Sequence, residues 1–231
     1  MNLDHIDWNE AHASIHEKGF FILKSVLCKE ECCDIIRLYG EAACFRKTIL
    51  MERHRFGLGE YKYLQYPLPK IIETLRSHLY SRLYAVANKW NDLLGIGLMY
   101  PASHDEFLQI CKANKQLLAT PLILKYGEGG YNTLHQDLYG DIYFPLQAVA
   151  FLNKAGEDYS GGEFILTEQI PRTQSKAIAL QPQQGDILIF TTQFRPKKGT
   201  RGFYRANMKH GVSVVHTGNR HSLGIIFHDA Q

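Results

Sequence analysis

From about residue 119 the sequence changes period. The runs "TPLILKY", "YFPLQAVAFLN", "GGEFILTEQ", "KAIALQPQ", "GDILIFTT", "HGVSVVHTG" and "HSLGIIFHD" are short and β-rich, and Gly, Pro, Asn and Asp separate them. Several short strands at regular intervals, broken by turn residues, argue for an antiparallel sandwich or barrel. This pattern constrains the chain more than its composition does.

The first 118 residues read differently. "GFFILKSVL" (Gly19 to Leu27) suits a strand, and "KEECCDIIRLYGEA" suits a helix with Cys33, Ile36 and Tyr39 or Gly40 on one face. The stretch Arg46 to Tyr63 reads as an aromatic and basic loop, a candidate lid or substrate loop. Leu68, Ile71, Ile72, Leu75, Leu79, Leu83, Val86, Trp90 and Leu94 then recur at spacings of three and four, with Pro69 near the start and Gly95 at the end of the predicted helix. "SHDE" from Ser103 is a capping-box pattern that opens a third helix through about Gln116. The expected fold is α+β with a mainly β core, a double-stranded β-helix (jelly roll) with buttressing N-terminal helices. The expected organisation is one domain over 1–231, mostly helical over 1–118, with the β-helix core over 119–231.

A chain of 231 residues buries a sizeable core without cross-links. The five cysteines form no pairing framework or zinc spacing, so reduced thiols in the cytosol are expected. There is no apolar run long enough to cross a bilayer, and residues 1–20 lack a signal-peptide pattern. The net charge of +3 says little, but no Asp or Glu lies between Ile187 and His228. Arg195, Lys197, Lys198, Arg201, Arg205, Lys209 and Arg220 do lie there, which predicts a positive field.

Within "KYGEGGYNTLHQDLYGD", His135 and Asp137 stand two residues apart. On a strand both point the same way, delivering a nitrogen and an oxygen donor to one point. One more histidine completes a facial triad that leaves cis positions open on a six-coordinate metal and suits non-haem Fe(II). His210, in "NMKHGVSVV", is the candidate. Ten residues later Arg220 and Ser222 share a strand face, and a guanidinium with a hydroxyl is a good receptor for a carboxylate.

With these residues in place, the chain resembles the Fe(II)/2-oxoglutarate-dependent dioxygenases: H-x-D, a distal histidine, then Arg about ten residues on. The tyrosine and glycine-rich turn before H-x-D is similar to that of prolyl 4-hydroxylases, and by that resemblance Tyr126 hydrogen-bonds the cosubstrate. "HQDLYG", "FPLQ", "GGEF", "GTRGFYR", "KHGVS" and "GIIFHDA" resemble a bacterial AlkB-like subfamily over roughly Phe45 to Ala230. The resemblance implies Fe(II), 2-oxoglutarate and O2, release of succinate and CO2, and oxidative demethylation of damaged DNA. Where the AlkB proteins place two arginines in R-x-N-x-x-x-R, this chain has Arg220 followed by Ser222.

Two other readings stay open: hydroxylation of a protein side chain, and a non-catalytic metal-binding barrel that senses a ligand. For the first reading, alkylated nucleic acid, the expected partner surface is Arg195, Lys197, Lys198, Arg201, Arg205 and Lys209. If Tyr204, Met208 and His210 face inward, Arg205 and Lys209 face outward beside the mouth of the site. "GGEF" (Gly161 to Phe164) reads first as a turn or bulge before a strand.

Overall fold

A computed structural model describes every residue of 1–231 except Tyr139, so the tyrosine of "HQDLYG" lies outside the described residues. In chain order the first elements are α1 (Trp8–Lys18), β1 (Phe20–Leu23), α2 (Lys29–Leu38), β2 (Phe45–Leu50), β3 (Gly57–Leu58), β4 (Glu60–Leu64), α3 (Lys70–Leu93) and α4 (His104–Ala113). Next come β5 (Leu122–Tyr126), β6 (Tyr131–His135), β7 (Leu146–Phe151), β8 (Tyr159–Gly161), β9 (Phe164–Gln169) and β10 (Lys176–Leu180). The last are β11 (Ile187–Thr191), β12 (Phe194–Gly199), β13 (Gly202–Val212), β14 (Val215–Gly218) and β15 (Arg220–Ile225).

Two antiparallel sheets face each other. The larger runs β1-β11-β7-β15-β5-β4-β2, and the smaller runs β10-β9-β13-β6-β3 with β12 also paired to β13. A short β14-β8 ribbon stands apart. Among the described residues no helix is long and apolar enough to cross a membrane.

Strand alternation divides the large sheet into two jobs. Leu146, Ala148 and Ala150 of β7, Ile187 and Ile189 of β11, and Leu223 and Ile225 of β15 pack with Leu75, Leu79, Leu83 and Trp90 of α3 in the main core. The other parity faces the small sheet, where Val149, Phe151, Leu188 and Phe190 meet Phe164, Leu166 and Met208. The helices therefore back one face of the large sheet and leave the other to form a cavity.

The long helix follows its predicted stripe, with Ile72, Leu75, Leu79, Leu83, Val86 and Trp90 buried. It also buries Arg76, whose guanidinium meets Asp229 at 2.7 Å and ties the helix to the C-terminal segment. In α4, the Ser103 hydroxyl accepts from the Glu106 amide as expected. In α2 the buried residues are Cys32 and Ile35, one position before the predicted stripe, because the Cys32 side of the helix lies under the end of β7, its thiol 4.0 Å from the Phe151 carbonyl.

The predicted loop at Arg46–Tyr63 is instead mostly strand. β2 and β4 pair antiparallel, and β4 joins β5, extending the large sheet. The helix-bearing part, residues 1–118, thus also supplies four strands, three to the large sheet and one, β3, to the small sheet.

Candidate active site

The cavity between the sheets measures about 260 Å³ and is walled by Leu122, Leu124, Val149, Phe164 and Phe190. His135, Asp137 and His210 meet in it, one ligand atom of each lying within 4.8 Å of the others. Cross-strand register explains the convergence: His210 of β13 pairs directly with His135 of β6. The two rings sit 4.2 Å apart, and both Nε2 atoms face the Asp137 carboxylate, at 3.4 Å from His135 and 3.3 Å from His210. The strand ends at His135, so Asp137 reaches the site from just beyond it rather than from the same strand.

The Thr133 carbonyl holds His135 in orientation, accepting from Nδ1 at 2.7 Å and directing Nε2 into the site. Phe164 stacks on His210 with an interplanar angle of 8°, and the Phe190 ring packs 4.7 Å from it. Burial alone pushes the Asp137 carboxyl up, but hydrogen bonds from His135 and His210 outweigh it and hold the group well below the usual carboxylate range. Burial lowers His210, and the charge of His135 adds to this. Burial also opposes a charged His135, but Asp137 and the Thr133 carbonyl leave its pKa raised. An ionised carboxylate and a neutral imidazole are the forms that bind a divalent cation.

Arg220 and Ser222 line the same cavity and share a face, with Arg220 Nη1 donating to Ser222 Oγ at 3.3 Å. Arg220 is only 1% exposed, and its Nε and Nη2 have no hydrogen-bond partner. No carboxylate among the described residues forms an ion pair with it. Glu163 feels its charge only weakly, and the Tyr159 hydroxyl lies close without bonding geometry. The hydroxyl of Tyr126 is likewise buried and unpartnered; Asn132 is near but not placed to bond it, and burial pushes its pKa up to about 12.

A buried guanidinium without a counter-ion is costly. Together with a two-histidine, one-carboxylate donor set, it fits a divalent cation and an anionic ligand spanning the cavity. Gly162, of "GGEF", makes this possible: at φ +63° a side chain would be strained, and a Cβ there would lie 2.9 Å from Arg220 Cδ.

Some residues were not singled out from the sequence. Phe56 and Tyr61, inside the stretch read as a loop, line the cavity, as does Gln147 of "FPLQ". Phe56 is fixed to the strand that carries His135 because its carbonyl accepts from both the amide and the hydroxyl of Thr133. A glutamine on a strand whose other residues are all apolar was a legible signal.

The basic surface departs from expectation. Arg195 is buried, and its Nη2 meets Glu168 at 2.6 Å; Lys197 meets the same carboxylate at 2.6 Å. Neither is a free cation for a phosphate. The acid-free span concealed this because Glu168 comes from β9, outside it. Lys198, Arg201, Arg205 and Lys209 are exposed, and Met208 and His210 are buried while Tyr204 is half-buried. The β12–β13 turn, with Lys198 and Arg201, lies about 30 Å along the strand from His210 at roughly 3.3 Å per residue, and none of the six basic residues lines the cavity.

The fold is that of the 2-oxoglutarate/Fe(II) oxygenases, a jelly roll. A prolyl-4-hydroxylase from Pseudomonas putida superposes with TM-score 0.57 at 12% identity, over 97% of this chain and 99% of that one. A 2OG-Fe(II) oxygenase family oxidoreductase from Burkholderia pseudomallei gives 0.57 at 15% identity, over 100% and 96%. A Trichoplax adhaerens prolyl hydroxylase gives 0.58 at 16% identity, over 95% and 87%. Residues 59–230 match the family described as "Oxygenase, catalysing oxidative methylation of damaged DNA", and the chain belongs to that family of oxygenases. Two uncharacterized proteins of Mycobacterium tuberculosis, from strains CDC 1551 / Oshkosh and H37Rv, are 45% identical over 164 residues, 71% of this chain and 70% of each relative.

Proposed function

We propose that the protein is an Fe(II)/2-oxoglutarate-dependent dioxygenase that hydroxylates a C–H bond, with an N-alkylated nucleobase as substrate. The observation that carries the cosubstrate is Arg220, a buried cation with unpaired donors in the cavity that also holds the His-Asp-His group. His135, Asp137 and His210 hold the metal. Arg220 grips the distal carboxylate of 2-oxoglutarate in bidentate fashion, Ser222 fixes the guanidinium, and Tyr126 donates its hydroxyl to the cosubstrate. Bound Fe(II) with 2-oxoglutarate and O2 supplies an oxidant that places one oxygen atom in a C–H bond while succinate and CO2 leave.

The chain's own part is to orient and to exclude water. Leu122, Leu124, Val149, Phe164 and Phe190 keep the cavity dry, so competing hydrolysis and unproductive oxidation are suppressed. Phe56 and Tyr61 add aromatic surface on which a flat group can stack. Hydroxylation of an N-methyl carbon gives an N–CH2OH group, which breaks to the free N–H and formaldehyde. The family's description supports DNA as the substrate. A cavity of about 260 Å³ takes a single base rather than a duplex, so the base must be unpaired or extruded.

A second reading, hydroxylation of a protein side chain, is favoured by the apolar lining and by the distance of the basic hairpin tip from the site. The two are separated by offering N-methylated single-stranded oligonucleotides and a peptide library with Fe(II) and 2-oxoglutarate, and following product mass. Formaldehyde and loss of a methyl group from the oligonucleotide are expected. Gain of one oxygen on peptide, with the oligonucleotide untouched, overturns the nucleobase assignment.

A further inference from the structure

Gln147 is 4% exposed, lines the cavity, and its Nε2 has no hydrogen-bond partner among the described residues. Two other glutamines turned into the protein are satisfied. Gln116 Nε2 donates to the Ile142 carbonyl at 2.8 Å and its Oε1 accepts from the Ile142 amide at 2.8 Å. Gln136 Nε2 donates to the carbonyls of Gln193 and Met208 at 2.9 and 2.8 Å. The residues of β7 that share the Gln147 face are Val149 and Phe151, so an apolar side chain there would suit the strand. An unpaired buried amide destabilises the fold, which makes a compensating ligand the simplest account of it.

Its position says which ligand. Arg220 pairs with Tyr126 at one end of β15, whereas Ala148 pairs with Ile225 at the other, and Gln147 follows beyond. That is about 20 Å of backbone along the sheet at roughly 3.3 Å per residue, which sets Gln147 toward the opposite end of β15 from Arg220. On its other side Gln147 pairs with Phe190, whose ring packs against His210. The amide therefore borders the His-Asp-His group, toward the opposite end of β15 from Arg220.

We infer that Gln147 is a specificity-determining residue: its Nε2–H donates to a carbonyl oxygen or ring nitrogen on the planar group that carries the reacting carbon. The inference rests on the oxygenase reading and adds to it the chemistry of the substrate group. An unsaturated heterocycle with an acceptor beside its N-methyl satisfies Gln147, and a saturated ring or plain aromatic hydrocarbon does not.

The test uses the full chain loaded with Zn(II) and 2-oxoglutarate, which holds the site without turnover, and two probes of similar shape: N-methyl-2-pyridone, with a carbonyl beside the N-methyl, and toluene, without one. NMR titrations give the ratio of their dissociation constants for wild type, Gln147→Met and Gln147→Glu. Both variants are expected to shift that ratio about tenfold toward toluene, and Gln147→Met to melt at a higher temperature than wild type because it removes an unpaired amide. An unchanged ratio, a ratio shift with a lowered melting temperature in Gln147→Met, or a wild type that binds neither probe overturns the inference. Succinate formation by wild type with Fe(II) is measured in parallel. If succinate forms and the ratio does not move, only the Gln147 assignment fails. If the ratio moves and no succinate forms, the amide's role stands and the oxygenase reading fails.

Discussion

Arg220 and Tyr126 face each other across the β15–β5 register, the guanidinium carbon 5.5 Å from the ring centroid, and both bury polar atoms that no described residue satisfies. The ring packs against the cation while the hydroxyl stays available to a ligand. Tyr126→Phe keeps the packing and deletes the donor. It is expected to raise the KM for 2-oxoglutarate about tenfold or more, the scale of a hydrogen bond to a charged group, and to leave the melting temperature unchanged or slightly higher. Steady-state kinetics and a thermal melt check this together.

Asp137 holds both imidazoles, with Nε2 contacts of 3.4 and 3.3 Å. Asp137→Ala removes one of three donors and the negative charge between them, so affinity for a divalent cation is expected to fall ~100-fold or more. Metal content after dialysis against a competing chelator measures the loss. Retention of stoichiometric metal would show that the ion sits elsewhere.

The Glu168 carboxylate takes bonds from Arg195 Nε and Nη2 at 2.9 and 2.6 Å and from Lys197 at 2.6 Å. Glu168→Leu leaves Arg195 buried and unpaired and is expected to cost about 3 kcal/mol in urea unfolding. The double variant Glu168→Leu/Arg195→Met is expected to recover most of that. The pair of measurements separates a structural ion pair from a phosphate-binding surface, which would show little loss of stability in the single variant.

His104 is buried, and its Nε2 donates to the Phe227 carbonyl at 2.8 Å. Burial, with the nearby charge of Arg76, lowers its pKa from 6.5 to about 3. The folded value lies below the unfolded one, so the stability it contributes is full above about pH 6.5 and falls as pH drops toward 3. Between pH 6.5 and 4.5 the expected loss is about 2–3 kcal/mol for this group. His104→Gln keeps a donor and removes the titration, so unfolding at the two pH values should differ by that much less than in wild type.

Which parts of the fold were legible follows from the range of the signals. Periodicity is local, so the long helix with Leu75, Leu79 and Leu83 and the β-rich second half were readable. Arg220–Ser222 was readable because strand parity is local too, whereas Asp137 reaches the site from just past the end of its strand and was found by its spacing from His135. Pairing between distant segments was not. Nothing near Arg195 announces Glu168, which β9 carries to it across the sheet. Nothing in "RFGLGEYKY" says that β4 will find β5, which turns a polar-looking loop into a cavity wall with Tyr61 and Phe56. Nothing local to Arg76 announces Asp229, which the far end of the chain brings to it. Gln147 was visible as a polar residue in an apolar strand, but its unpaired state needed the surroundings.

We place a metal at His135, Asp137 and His210 and a diacid between that metal and Arg220, all in one cavity. Calorimetric titration of 2-oxoglutarate into the Mn(II)-loaded protein, the metal-free protein and the Mn(II)-loaded Arg220→Met variant tests it most directly. Tight one-to-one binding is predicted only where both metal and Arg220 are present, with a loss of ~100-fold or more when either is removed. Equal binding in all three samples would contradict the account.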